Sequence, residues 1–124
     1  MATFKFGNFE TEIDTSDFDF MQTFEARCME TAAEVGKVSQ EGKRSETIKA
    51  ISDIYFAFFD ALFGEGTSER LFNGRVNMRL CDQAMSALGD AIIEDQKAYS
   101  DETMAIVSKY AGNRQTRRAK KAAK

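Results

Sequence analysis

Residues 45–66, Ser-Glu-Thr-Ile-Lys-Ala-Ile-Ser-Asp-Ile-Tyr-Phe-Ala-Phe-Phe-Asp-Ala-Leu-Phe-Gly-Glu-Gly, decide the fold class. Ile48, Ile51, Tyr55, Phe58, Phe59 and Leu62 recur three or four residues apart, the spacing of one face of an α-helix. Ile54, Phe56 and Phe63 extend that apolar stripe nearly all round. Such a helix is either central to a core or shared with a partner. Ser45 is placed to cap its start, and Gly64 and Gly66 end it. The chain contains no proline, so glycines and cap residues do all the punctuation.

Working outward, residues 3–14 read as a β-hairpin. Phe4 and Phe6 alternate with Thr3 and Lys5; Phe9, Thr11 and Ile13 alternate with Glu10 and Glu12. Gly7-Asn8 supplies a two-residue turn tolerant of positive φ. A lone hairpin is marginal in water, so this one packs on helices or pairs with another chain. Ser16 is a candidate N-cap for a helix to about Val38, with Asp17 and Asp19 in its first turn and Phe20, Phe24, Cys28, Thr31 and Val35 on one face. Residues 39–44 form a polar loop. Thr67 can cap a short turn over 68–72, and Asn73-Gly74 reads as another turn. Asn77 can cap a third long helix through Met78, Cys81, Met85, Leu88, Ile92 and Ile93. Residues 101–110 either continue it or follow a break at Ser100, and Gly112-Asn113 stops the helices. The fold expected is mainly α: three to four helices in one domain over residues 1–111, an N-terminal hairpin, and a disordered basic tail over 112–124.

The chain's 124 residues suffice to bury roughly two-thirds of the unfolded surface, so neither disulfide nor metal is needed to fold. Phe supplies most of the large core volume, with 11 Phe and no Trp. Cys28 and Cys81 have no metal-like spacing and read as reduced, buried thiols of a cytoplasmic protein. The start lacks the basic and apolar regions of a signal peptide, and no apolar run is long enough to span a bilayer. The net charge of −3 hides an asymmetry: residues 112–124 carry six basic residues and no acid, while the rest holds 11 basic and 20 acidic residues, so a −9 body ends in a +6 tail.

No catalytic site is expected. The chain has no His, which removes the commonest general base and metal ligand. Gly64-Glu65-Gly66-Thr67 lacks the Lys and preceding strand of a phosphate loop. Glu94-Asp95 and Asp101-Glu102 are neighbours that point in different directions on a helix and read as solvated faces; Asp53 and Asp60 read as the polar edge of the aromatic stripe. No enzyme activity, cofactor or metal is expected. Binding is carried instead by an apolar set, Phe56, Phe59, Phe63 and Phe72, and an electrostatic set, Arg114, Arg117, Arg118, Lys120 and Lys121. No aromatic is interleaved with the basic residues, and the acidic body repels a duplex, so nucleic acid is not the main ligand.

The block Phe58-Phe59-Asp60-Ala61-Leu62-Phe63-Gly64-Glu65-Gly66-Thr67, followed by Leu71-Phe72, resembles small proteins of tailed bacteriophages and prophages of Gram-positive bacteria. The ending Asn113-Arg114-Gln115-Thr116-Arg117-Arg118-Ala119-Lys120-Lys121 resembles the basic ends of phage tail assembly chaperones. The opening is similar too, a hairpin and then Ile13-Asp14 leading into an acidic helix start. The resemblance implies a chaperone in the host bacterial cytoplasm. Such a chaperone binds the long, aggregation-prone tape measure protein, helps recruit tail tube subunits, and is absent from the finished virion. It offers no catalytic residues. Homo-oligomerisation is compatible with the exposed Phe surface expected. Two other functions fit the same residues: a structural phage protein such as a connector or minor tail component, and a nucleic-acid-binding regulator acting through the tail.

Overall fold

The computed structural model describes the backbone of residues 1–122 and the side chains of residues 1–111. It is mainly helical with an N-terminal two-stranded hairpin. Strand β1 (Ala2–Phe6) pairs antiparallel with β2 (Phe9–Ile13), Phe6 opposite Phe9 and Ala2 opposite Ile13. The period-two pattern sends Ala2, Phe4, Phe9 and Ile13 inward, and leaves Lys5 and Glu10 paired across the exposed face. Helices α1 (Phe18–Gly36), α2 (Arg44–Phe63), α3 (Thr67–Phe72) and α4 (Met78–Ala122) follow.

The hairpin lies across the junction of α2, α3 and α4, and Phe4 is the ring on which it sits. Phe4 is fully buried, with ring centroids 6.2 Å from Phe59, 5.5 Å from Phe63 and 6.1 Å from Phe9. Phe59 in turn stands edge-on to Phe58 at 5.2 Å and to Phe72 at 5.9 Å. Offset and edge-to-face contacts of this kind add to the stabilisation from area burial. Cys81, Ala84, Leu88, Ala91 and Ile92 complete the core from α4. Helix α1 covers α2 from the other side through Phe20, Phe24 and Cys28.

The hairpin turn docks on the end of α3. The Asn8 N–H donates to the Arg70 carbonyl at 3.0 Å, the Arg70 guanidinium returns a bond to the Asn8 carbonyl at 3.2 Å, and that guanidinium lies 5.2 Å from the Phe9 ring centroid. Gly7 has φ +58°, and a Cβ there would collide with the Leu71 carbonyl oxygen.

Several expected caps are corrected. Asp17, not Ser16, caps α1, accepting from the Phe20 N–H at 2.9 Å; the Ser16 N–H and hydroxyl are engaged by the Asp14 carboxylate. Helix α2 starts one residue before Ser45, with Lys43 at the cap position and no side-chain cap. Gly66, in the left-handed region, occupies the cap position of α3, and Thr67 is its first residue. The cap bond to that helix comes from Asp60 of α2, which accepts from the Ser68 N–H at 2.8 Å and hydroxyl at 3.0 Å. Asn77 caps α4 as expected, accepting from the Leu80 N–H. Neither Ser100 nor Gly112-Asn113 interrupts α4: its backbone is helical from Met78 to Ala122. The side chains of the expected basic tail, 112–124, lie outside the described residues.

Substitutions grade this packing. Phe59→Ala is expected to lower unfolding stability in urea by about 3–5 kcal/mol. Gly7→Ala destabilises, because the new methyl meets backbone and φ is positive. Gly89→Ala, in a helix interior with nothing within 4 Å, stabilises by about 0.5–1 kcal/mol.

Candidate functional site

The four Phe expected to form one contact surface divide between core and surface. Phe59 is fully buried and Phe72 is 3% exposed, so neither is available to a partner in this arrangement. The physical reason is the hairpin: Phe4 covers Phe59 on the side of α2 that periodicity alone left open, and Phe6 meets Phe72 of α3. Phe63 is half-buried beneath Phe4 and Phe9. Phe56 is half-buried and meets Phe72 at 5.1 Å; together with Ser68, Glu69 and Gly74 they line an open pocket of about 250 Å³. Arg114, Arg117, Arg118, Lys120 and Lys121 fall within the helical backbone of α4 but outside the residues with described side chains.

Phe18 and Met29 are exposed on α1, but most of the large exposed apolar residues lie instead on α4. Inside the body, α4 buries Cys81, Ala84, Leu88, Ala91, Ile92 and Asp95. At about 100° per residue, Leu88, Ile92 and Asp95 share an arc of about 80° with Tyr99, Thr103, Ile106 and Tyr110. The same face therefore continues past the body, but its covering does not. Residues 100–111, roughly 18 Å of helix, are all exposed. Ile106 is 59% exposed, Val107 54% and Tyr110 70%. Met104 and Val107 widen the stripe on one side, and Ile93, back within the body, is exposed on that same side. Asp101, Glu102 and Lys109 occupy other positions of this stretch, giving an amphipathic helix whose apolar face is left uncovered by the described residues.

Where α4 leaves the body, one carboxylate organises the neighbourhood. Asp95 is buried, and accepts from the Thr15 N–H at 2.7 Å and the Thr15 hydroxyl at 2.6 Å. The Met1 amine lies 3.3 Å away, and its own pKa is raised, chiefly by the hydrogen bond and charge of Asp95. Desolvation pushes the Asp95 carboxyl up, but the Thr15 bonds and the amine together outweigh it and hold the group below the usual carboxylate range. This corrects the reading of Glu94-Asp95 as a solvated pair: Glu94 is exposed, while Asp95 ties the segment between β2 and α1 to α4. The signal was present in sequence, since Asp95 follows Leu88 by seven residues and Ile92 by three. Asp14 and Glu102 lie near enough to act on the same amine. Exposed Asp17 and Phe18 follow Asp14 closely in the chain, and exposed Glu94 precedes Asp95.

A second open cleft, of about 480 Å³, lies between the starts of α2 and α4; Arg44 and Arg79 line it together with Asp82. Burial pushes both thiols up, Cys28 half-buried and Cys81 fully enclosed, so neither is an activated nucleophile. The buried Ser52 hydroxyl has no full hydrogen-bond partner among the described residues and stands beside the Cys81 thiol, a weak acceptor. Among the described residues no cluster of acids or thiols is arranged to hold a metal ion, and no helix is long and apolar enough to cross a membrane.

The Asp95 tie has a definite pH signature. Its folded pKa is depressed, so its contribution is complete above the unfolded carboxyl pKa of about 3.9 and is lost as pH falls through the folded value. Asp95→Asn is expected to be less stable than the parent at neutral pH, with the gap narrowing as pH falls below about 4. Urea unfolding followed across that pH range checks this; a gap independent of pH would contradict it.

No curated protein and no solved structure matches the chain. Residues 7–121, from the hairpin turn through almost all of α4, match one protein family. The chain therefore belongs to DUF6673, a family of unknown function.

Proposed function

We propose that this protein is a non-enzymatic binding protein that acts as a phage tail assembly chaperone, holding the tape measure protein through the outer half of α4 and helping to recruit tail tube subunits. The observation that carries the reading is the uncovered stripe Tyr99-Ile106-Tyr110 with Met104 and Val107, displayed on a helix that the body anchors at Asp95. A long helical client presents apolar stripes of its own, and helix-on-helix docking buries both without asking either chain to unfold. The acidic body keeps the complex soluble, and the basic run that follows the stripe supplies a second contact at high local concentration. The phage assignment rests on the resemblance of the Phe58–Thr67 block and of the basic ending. On this reading the protein acts in the host bacterial cytoplasm.

Co-expression with the long helical tape-measure-like protein of the same genome tests the proposal. The client is expected to stay soluble and co-purify only when this chain is present. Ile106→Glu with Tyr110→Glu lowers recovery of the client while leaving helical circular dichroism unchanged, because both side chains are exposed. Replacing Arg114, Arg117, Arg118, Lys120 and Lys121 by Ala weakens binding and flattens its salt dependence. A client that is soluble alone and does not bind refutes the reading.

A further inference from the structure

The open cleft between the starts of α2 and α4 is the basic spot of an acidic body. Residues 43–46 and 75–82 hold Lys43, Arg44, Arg75 and Arg79 against Glu46 and Asp82, a sum of +2 in a body of −9. Among the described residues no carboxylate pairs with any of these four cations. We propose that the cleft docks an acidic peptide segment of another protein, one that carries an apolar side chain between its carboxylates.

Two features of the cleft are unfavourable in the free chain and favourable with such a segment in place. The first is electrostatic. Cations are disfavoured at the positive end of a helix. Yet Lys43 stands at the cap position of α2 without a side-chain cap, Arg44 is the first residue of that helix, and the first turn of α4 holds Arg79 and no acid. Helix α1, by contrast, opens on Asp17 and Asp19. The second is apolar: Val76 is 42% exposed and lines the cleft with half-buried Ile48 and Met78. Carboxylates on Arg44 and Arg79, one from each helix, form charge-assisted forked bonds and offset the positive helix ends. An apolar side chain between them covers Val76 and Ile48. At about 480 Å³ the cleft falls in the ordinary size range of ligand pockets.

The rest of the lining selects a peptide. Asn77 uses its Oδ1 to accept from the Leu80 N–H, which leaves its side-chain amide to donate to a peptide carbonyl. Asp82, also in the lining, offers an acceptor for a peptide N–H. A bare phosphate would gain nothing from the apolar residues and would meet the Asp82 charge. Nucleic acid would face the −9 body, and no aromatic among the described residues lines the cleft for a base to stack on. Tyr99, where the uncovered stretch of α4 begins, lies roughly 26 Å along the helix from Asp82. The cleft is therefore a separate site, and it stands or falls independently of the chaperone reading.

The experiment titrates the full chain, labelled at Ile and Met methyl groups, with the unlabelled peptide acetyl-Glu-Asp-Leu-Glu-Asp-amide, and follows methyl NMR shifts. Saturable shifts are expected at Ile48 and Met78 with Ile106 unmoved, and binding weakens as salt is raised. Arg44→Glu with Arg79→Glu lowers the affinity on the order of tenfold or more. Acids suit both helix starts better than the native cations do, so circular dichroism and urea unfolding are expected to show an intact fold, and lost binding then reads as lost contact. Replacing the peptide's Leu by Ser weakens binding severalfold, because the apolar lining stays wet. Ile48 and Met78 methyls that do not move at about 1 mM peptide overturn the proposal. So does equal binding of the Leu and Ser peptides, and so does inorganic phosphate or a single-stranded oligonucleotide that moves the same methyls as strongly at equal concentration. Self-association of the free chain that the double variant abolishes would give the cleft to a second copy and likewise overturn it.

Discussion

Everything else in this molecule depends on burying the Phe4 ring between Phe59 and Phe63. That contact turns an unstable two-stranded hairpin into a lid for the aromatic side of α2, and turns an over-apolar helix into a core helix. Once Phe4 is seated, Phe6 reaches Phe72, the Gly7-Asn8 turn lands on α3, and Ile13 and Thr15 lead the chain to Asp95. The hairpin is thus the piece that settles which Phe are core. Without it, the stripe of α2 would have to find another protein.

The consequence for function is a division of labour along α4. Its first half is cemented into the body by Cys81, Ala84, Leu88 and Ile92, and closed off by the Asp95–Thr15 bonds. Residues 99–111 keep the same apolar periodicity, uncovered by any other described residue. The charges complement this: acids gather where the helix emerges, and cations gather beyond the stripe.

Much of the architecture was legible in the residues. The hairpin, its Gly7-Asn8 turn, the Phe20-Phe24-Cys28 face of α1, the Gly64 and Gly66 break and the Asn77 cap all follow from local chemistry. What was not legible depended on contacts distant in sequence. Phe59 and Phe72 were placed in a contact surface because nothing local says that a hairpin more than 50 residues away covers them. Asp60 as the cap of α3, and Asp95 as a buried acceptor, needed the neighbouring element to be known. Ser100 failed as a break because a lone Ser inside a helix costs little. The stripe on the outer half of α4 was half visible, through Met104, Val107 and Tyr110, but its continuity with the core face emerged only once Leu88, Ile92 and Asp95 were seen to point inward.

The central claim is that the outer half of α4 is the docking face. Amide hydrogen exchange of the full chain tests it most directly, measured first in dilute solution and then with the tape-measure-like protein added. The account predicts fast exchange over about residues 99–111 when dilute, and a marked gain of protection there when the client is added, with the hairpin and α2 unchanged. Protection gained at α1, α2 or the Phe56–Phe72 pocket, with residues 99–111 exchanging as before, would contradict it.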